Sequence, residues 1–330
     1  MAVFVLISAG NGSSWRVLVL AAGLFVGGLA GPLATQEPPA PVEPAQPEAP
    51  AGPSVHRASA SASSAEAAPT IVTPLRTTGG QLSVQVLVNG AGPYLFTLDS
   101  GSGMSVCLDA ELAETLGLPT VGEVLNSDGS GTVVPRALVG IDHFVLGGHD
   151  FGAQQALVAD YRFVSGSGAD RVMGILGLPL FDGGVVTLDA PREELRWPDA
   201  ALELGEHTVR YTTPGGIPEI SMRVGERSWR GVVDTGFSGT ASFPDSLRGV
   251  LELAGEARVV GEARGPNGAR GHKVWGATLA GTLEFAGHRV DAPEVYFIES
   301  RRAPYLGGQL LRRYALSFDT RERLLAVRGE

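Results

Sequence analysis

Short hydrophobic runs separated by polar or glycine-rich turns make up most of the chain after residue 70. The runs are rich in Val, Leu, Phe and Thr and are bounded by Gly, Pro, Asn or Asp, which is typical of β-strands. Two segments, 109–116 and 245–253, have a helical pattern, with Asp109 and Asp245 placed as their N-caps. The pattern predicts an all-β or mainly β fold with short helices.

The first 69 residues differ from the rest of the chain. Residues 17–30 are uncharged and apolar and follow Arg16, so segment 1–34 is expected to be a signal peptide or, if uncleaved, a signal anchor. Residues 35–69 are dominated by Pro, Ala, Glu and Ser and predict a disordered linker. Together they predict an exported protein, periplasmic or extracellular, with the N-terminal segment as its membrane anchor if it is retained.

The remainder of the chain is an internal duplication. Each half contains a strand pattern that ends in an Asp-hydroxyl-Gly triplet, and an apolar-apolar-Gly triplet follows 78 positions later in one half and 73 in the other. The triplets are Asp99-Ser100-Gly101 with Ile175-Leu176-Gly177, and Asp234-Thr235-Gly236 with Tyr305-Leu306-Gly307. The duplication predicts two homologous lobes, 70–203 and 204–330.

Two aspartates repeated in this way have a direct chemical use. Carboxylates placed around one water cannot both be ionised, so they share a proton and divide into a base and an acid. The base takes a proton from water as the water attacks a peptide carbonyl, and the acid supports the developing oxyanion. Asp99 and Asp234 are therefore the candidate catalytic residues, and this chemistry needs no metal or organic cofactor.

The other residues of the triplets have supporting roles. The hydroxyls of Ser100 and Thr235 are expected to form hydrogen bonds between the halves and so fix the carboxylates. Gly101 and Gly236 allow the two loops to approach, because neither has a side chain in the way.

The doubled Asp-Ser/Thr-Gly with its downstream triplet resembles the pepsin/retropepsin-like aspartic proteases, in particular their bacterial single-chain members. The resemblance covers nearly all of residues 70–330. It implies a monomer with two pseudo-twofold lobes, a peptide or protein substrate lying extended between them, and downstream triplets packed beneath the active-site loops. It also implies flaps at the glycine-rich turns near Gly129, Gly131 and Gly268.

Two departures from the family pattern leave an alternative open. Ser102 matches the pepsin pattern and is expected to bond the outer oxygen of the first carboxylate, whereas Phe237 stands at the equivalent position of the second half. The turn around Gly129 has no Tyr, the residue that a pepsin-like flap carries. The alternative is a catalytically inactive module that keeps the fold and binds peptide or cell wall.

Composition and the remaining polar residues argue against a nucleic-acid-binding protein, a cysteine enzyme and a metal enzyme. The formal charge of -10 has the wrong sign for a nucleic-acid partner. Cys107 is the single cysteine and is expected to be a buried small hydrophobe, and the histidines lack metal-site spacing. Asp189 and Asp319 end strand patterns and are expected in turns. Arg301 and Arg302 are expected to be solvated surface charge.

Overall fold

The computed structural model describes residues 70–127, 132–161, 171–263 and 271–329, together with the backbone of Arg264 and of two strands near the N-terminus. The glycines of the predicted flaps (Gly129, Gly131 and Gly268), the predicted linker and most of the predicted export segment lie outside the described residues. In the part of the chain that is described, no helix is long and apolar enough to cross a membrane.

Strands dominate the structure, which confirms the prediction of a mainly β fold. In the first half they are β1 (Ala2–Ser8), β2 (Trp15–Ala21), β3 (Ile71–Pro74), β4 (Arg76–Thr78), β5 (Gln81–Val88), β6 (Ala91–Leu98), β7 (Val106–Asp109), β8 (Thr120–Ser127), β9 (Val133–Ile141), β10 (Phe144–Leu146), β11 (His149–Asp150), β12 (Gln154–Ala159), β13 (Val172–Leu176), β14 (Val185–Asp189) and β15 (Glu194–Trp197). In the second half they are β16 (Thr208–Arg210), β17 (Glu219–Val224), β18 (Arg227–Asp234), β19 (Ala241–Pro244), β20 (Arg258–Arg264), β21 (His272–Thr278), β22 (Thr282–Phe285), β23 (His288–Asp291), β24 (Glu294–Ile298), β25 (Tyr305–Gly307), β26 (Ala315–Asp319) and β27 (Leu324–Arg328).

Two sheets repeat one strand order. The first sheet runs β11-β10-β5-β6-β13-β7-β12-β9-β8, and β4 pairs with β5. The second sheet runs β23-β22-β17-β18-β25-β19-β24-β21-β20 and continues through β1 and β2. The nine strands of the first sheet correspond in order to nine strands of the second sheet. The number of each strand in the second sheet is twelve higher than that of its counterpart. The repeat that is visible in the sequence therefore has a counterpart in the topology.

A third sheet joins the two halves. Its order is β16-β27-β26-β14-β15-β3, so β14 of the first half pairs with β26 of the second half at its centre. The buried hydroxyls of Thr187 and Ser317 lie 2.8 Å apart across this pair. Because the joining sheet takes strands from both halves, Thr70–Glu330 falls within one compact unit.

The two predicted helices have different outcomes. Helix α1 (Ala110–Thr115) forms as predicted, and its N-cap Asp109 accepts a hydrogen bond from the Glu111 N–H. The predicted helix over 245–253 is wrong, since only a 3₁₀ turn (Asp245–Leu247) forms there. Gly249 and Val250 follow at once, and both are poor helix formers. Helix α2 (Gly308–Leu311) follows β25.

Asp189 and Asp319 are the last residues of β14 and β26, and each caps the turn that follows, in line with the predicted turn or cap role. The Asp189 carboxylate accepts from the Arg192 N–H at 3.1 Å, and the Asp319 carboxylate accepts from the N–H groups of Arg321 and Glu322. Both carboxylates are buried and close the hairpins β14–β15 and β26–β27. They are structural residues of the joining sheet.

Candidate active site

The two Asp-hydroxyl-Gly loops begin where equivalent strands end. In the first sheet, β6 leads into Asp99, whose N–H donates to the Leu176 carbonyl at 2.8 Å. In the second sheet, β18 ends at Asp234, which pairs with Gly307 of β25. The strands β13 and β25 run parallel to β6 and β18, so the two downstream triplets support the loops.

Crossed hydrogen bonds tie the two loops together. The Ser100 N–H donates to Thr235 Oγ1 and the Thr235 N–H donates to Ser100 Oγ, both at 3.0 Å. Each hydroxyl then donates to a backbone carbonyl of the opposite half: Ser100 to Val233 at 2.7 Å, and Thr235 to Leu98 at 2.8 Å. All of these groups are buried, so the hydroxyls hold the loops in one relative position, as the sequence led us to expect.

The loops bring the two carboxyl groups to one point. Asp99 and Asp234 are 1% and 0% exposed, and their side chains are within hydrogen-bonding reach of each other. A Cβ atom added at Gly101 would lie 2.9 Å from Asp234 Oδ1 and 3.0 Å from Asp99 Oδ1. The site therefore requires glycine at position 101, because any side chain would displace the carboxylates.

Burial and mutual repulsion control the protonation of the pair. Burial raises the pKa of both aspartates, and the negative charge of Asp99 raises the pKa of Asp234 further, well above its usual range. Backbone N–H groups oppose this, since Gly101 donates to Asp99 Oδ1 at 2.8 Å and Phe237 donates to Asp234 Oδ1 at 2.9 Å. The balance favours one proton shared by two carboxyl groups.

Ser102 does not have the contact that the family pattern implies. Its hydroxyl accepts from the Met104 N–H at 3.3 Å and lies 4.0 Å from Cys107 Sγ. The expected bond to the outer oxygen of Asp99 is therefore replaced by contacts behind the loop. Cys107 is buried as predicted, and burial raises the pKa of its thiol, which disfavours a nucleophilic thiolate.

Gln81 is a residue of the site that the sequence analysis missed. Its side-chain N–H donates to the Gly236 carbonyl at 2.5 Å, and only 2% of the residue is exposed. This is a further bond from the first half to the loop of the second half. Strand β5 also contains Ser83 and Gln85, so the sequence did not distinguish Gln81 from the other polar residues of the strand.

Arg301 is the second missed residue, and its assignment as solvated charge is wrong. It is 6% exposed, and its guanidinium lies over the rings of Tyr305 and Phe237, 3.5 and 5.6 Å from their centroids. The neighbouring Arg302 is exposed, as predicted. Two adjacent arginines with opposite environments cannot be told apart from charge spacing alone.

The flap residues are placed only through their flanking strands. The segment with Gly129 and Gly131 connects β8 to β9, and the segment with Gly268 connects β20 to β21; both strand pairs are antiparallel. The glycines themselves lie outside the described residues. Their role as flaps stays a prediction.

Comparison with known proteins supports an aspartic protease relationship. Residues 84–180 match the family described as aspartyl protease, a range that contains Asp99, β13 and the Leu176-Gly177 pair beneath the loop. The second loop, with Asp234, lies outside the matched range. A search of curated proteins finds no match. Within the described residues, no group of three or more His, Cys, Asp or Glu side chains is arranged to hold a metal ion.

Proposed function

We propose that the protein is an aspartic endopeptidase in which Asp99 and Asp234, one from each lobe, form a catalytic dyad. The observation that supports the proposal is the pair of buried carboxyl groups held by the crossed bonds between Ser100 and Thr235. A structural role in turns does not explain this arrangement, because burying two acids side by side raises the pKa of both and costs stability.

The mechanism follows from the shared proton. A water between the carboxyl groups loses a proton to the ionised aspartate as its oxygen attacks the peptide carbonyl. The protonated aspartate donates to the carbonyl oxygen, which gives a neutral tetrahedral diol. Collapse of the diol breaks the C–N bond. The leaving nitrogen takes a proton from the protonated aspartate, and the ionised aspartate takes a proton from one diol hydroxyl, so the products are a carboxylic acid and an amine and the pair is again singly protonated.

The substrate proposed for this site is an extended peptide or unfolded protein segment between the two lobes. The predicted lobes 70–203 and 204–330, a monomeric state and export with an N-terminal signal or anchor belong to the same proposal. They rest on the sequence patterns, together with the matching strand orders of the two sheets.

The direct test is cleavage of an unfolded protein by the full chain between about pH 3 and 7. Asp99→Asn and Asp234→Asn should each lower kcat/KM by about 10²-fold or more, because either change removes the acid-base pair. Asp142→Asn is the control, since Asp142 is an exposed aspartate and should leave the rate unchanged. Full activity in either dyad variant contradicts the proposal.

A non-catalytic peptide- or wall-binding module is the second candidate. It is favoured by Phe237 in place of a polar residue and by the Ser102 hydroxyl, which bonds Met104 behind the loop. Peptide affinity measured by calorimetry separates the two functions. Binding that survives both dyad substitutions, with no product formed by the folded wild type at any pH, would establish the module in place of the enzyme.

A further inference from the structure

The loop between β24 and β25 places a buried cation directly behind the second catalytic loop. The Arg301 N–H donates to the Ile298 carbonyl at 3.1 Å, which fixes the backbone where β24 ends. The guanidinium then lies on the ring of Tyr305, the first residue of β25. Because β25 pairs with β18, whose last residue is Asp234, the cation is attached to the strand pair that carries the second carboxylate.

Phe237 gives a second, shorter link from Arg301 to the dyad. Its ring lies under the guanidinium, 5.6 Å from centroid to Cζ, while its N–H donates to Asp234 Oδ1 at 2.9 Å. One residue therefore contacts both the cation and the carboxylate. The ring is fully buried and packs edge-on against Tyr296, so it has little freedom to move.

The guanidinium group of arginine is not deprotonated in proteins, so it supplies a fixed positive charge. Planar stacking on aromatic faces also suits arginine better than lysine. In the first half the strand registers make Ile175 the equivalent of Tyr305 and Ser102 the equivalent of Phe237, so neither position offers an aromatic ring to a guanidinium. Arg171, which precedes Ile175 by four residues as Arg301 precedes Tyr305, is instead paired with Asp109 and Glu111 at 3.1 and 2.9 Å.

We propose that Arg301 is a positioning residue of the dyad, whose fixed positive charge behind the Asp234 loop sets the pH range in which the pair holds a single proton. The inference rests on the proposed proteolytic function. Burial raises the pKa of both aspartates, and the charge of Arg301 lowers it for both, which agrees with the geometry.

Several other ionisable groups lie near Arg301 within the described residues. On β24 and β25 they are Glu294, which is exposed, together with Tyr296 and Tyr305. Burial raises the pKa of Tyr296 to about 12, outside the working range. Strands β20 and β21 pack Ala263 and Val274 against Phe237. Their neighbours along each strand, Glu262 and Lys273, therefore point to the opposite face of the sheet. Behind Asp99 are Cys107 and Tyr161, both buried, with the pKa of each raised by burial.

The test is the pH profile of kcat/KM for the full chain. In Arg301→Gln, both limbs of the profile should move to higher pH by about one unit, because a nearby cation no longer favours the ionised form. Arg301→Lys keeps a charge and should move the limbs less. Arg302→Gln changes the exposed neighbouring arginine and should leave the profile unchanged. A profile of Arg301→Gln that overlies that of the wild type, or an equal shift in Arg302→Gln, overturns the proposal.

Two measurements separate this role from a structural one and from failure of the proposed function. If Arg301→Gln does not fold, Arg301→Met takes its place, because the methionine side chain keeps an apolar stem on the rings. The limbs of its pH profile should shift to higher pH by the same amount. Carboxyl ¹³C NMR of aspartate-labelled protein reads the titration of the pair without turnover. If the wild type cleaves nothing but the Arg301 variants still shift this titration, the proposed function fails and the positioning role stands. A lower rate, with no change in the limbs of the pH profile or in the titration of the aspartates, would mean that Arg301 has only a structural role and would contradict the proposal.

Discussion

The first and second sheets share one strand order but surround their aspartates with different side chains. The cluster behind the Asp99 loop is built from Cys107, Leu157, Ala159, Tyr161 and Ile175. The cluster behind the Asp234 loop is more aromatic, with Phe237 and Tyr296 at its centre and the guanidinium of Arg301 against it. The two halves therefore share a backbone frame, while the side chains around each carboxylate differ.

The divergence also reaches the contacts between the halves. The register of β5 with β6 and of β17 with β18 makes Ile217 the equivalent of Gln81, so the bond from Gln81 to Gly236 has no counterpart at that position. The crossed bonds of Ser100 and Thr235, in contrast, are closely symmetric. A pair that shares one proton needs a rigid frame common to both sides, but it does not need identical surroundings.

The largest effect is expected where both halves meet at Gly101. In Gly101→Ala the new methyl group would push apart the two carboxyl groups, and kcat/KM should fall by about 10²-fold or more, as for other small misplacements of reacting groups. Gly249→Ala is the matched control, because a Cβ there meets no atom within 4 Å. Rates should be measured beside thermal unfolding. Wild-type activity in Gly101→Ala would contradict the common contact point.

The symmetric bonds give the next largest effect. Thr235→Val keeps the side-chain volume but leaves the Leu98 carbonyl and the Ser100 N–H without their partner, and should lower the free energy of unfolding by about 2 to 3 kcal/mol. Ser100→Ala removes the reciprocal bonds and should cost a similar amount. Thr120→Val is the control, since Thr120 is exposed on β8. The free energy of unfolding is measured with urea. A loss in only one of the two loop variants would contradict the prediction that the crossed bonds contribute equally.

The sequence predicted the frame better than the environment. Strands, both triplets and the cap at Asp109 follow from local patterns, because each depends on residues near in sequence, and the duplication follows from comparing these patterns between the halves. Gln81 was missed because its role comes from a contact with Gly236, 155 positions away. Arg301 was missed because its role comes from a stack on aromatic rings that only folding brings together. The helix expected at 245–253 failed for a local reason, the Gly249-Val250 pair that opposes helix extension.

A third effect concerns the pH dependence of stability that the two buried aspartates cause. A carboxyl group whose pKa is higher in the folded than in the unfolded state binds more protons when folded, so stability falls as pH rises from the unfolded pKa to the folded one. Asp234→Asn removes this loss and should raise the midpoint of thermal unfolding by several degrees at pH 7, with little gain near pH 3. Asp99→Asn should also raise the midpoint at pH 7, because burial raises the pKa of Asp99 as well and its charge raises the pKa of Asp234 further. Equal gains at both pH values would contradict the assignment.

The smallest effect tests the contact that only the first half supplies. Gln81→Leu leaves the buried Gly236 carbonyl without the amide donor and should lower the free energy of unfolding by about 1 kcal/mol, which corresponds to roughly 2 to 3 °C. Gln85→Leu, at an exposed position of the same strand, is the matched control. If Gln81 holds the second loop as well as stabilising the fold, kcat should fall more than KM changes, because the Asp234 carboxylate would lose its position while the proposed peptide-binding cleft is kept. A stability loss with unchanged kcat would confine Gln81 to the fold, and the asymmetry between the halves would then lie in their packing alone.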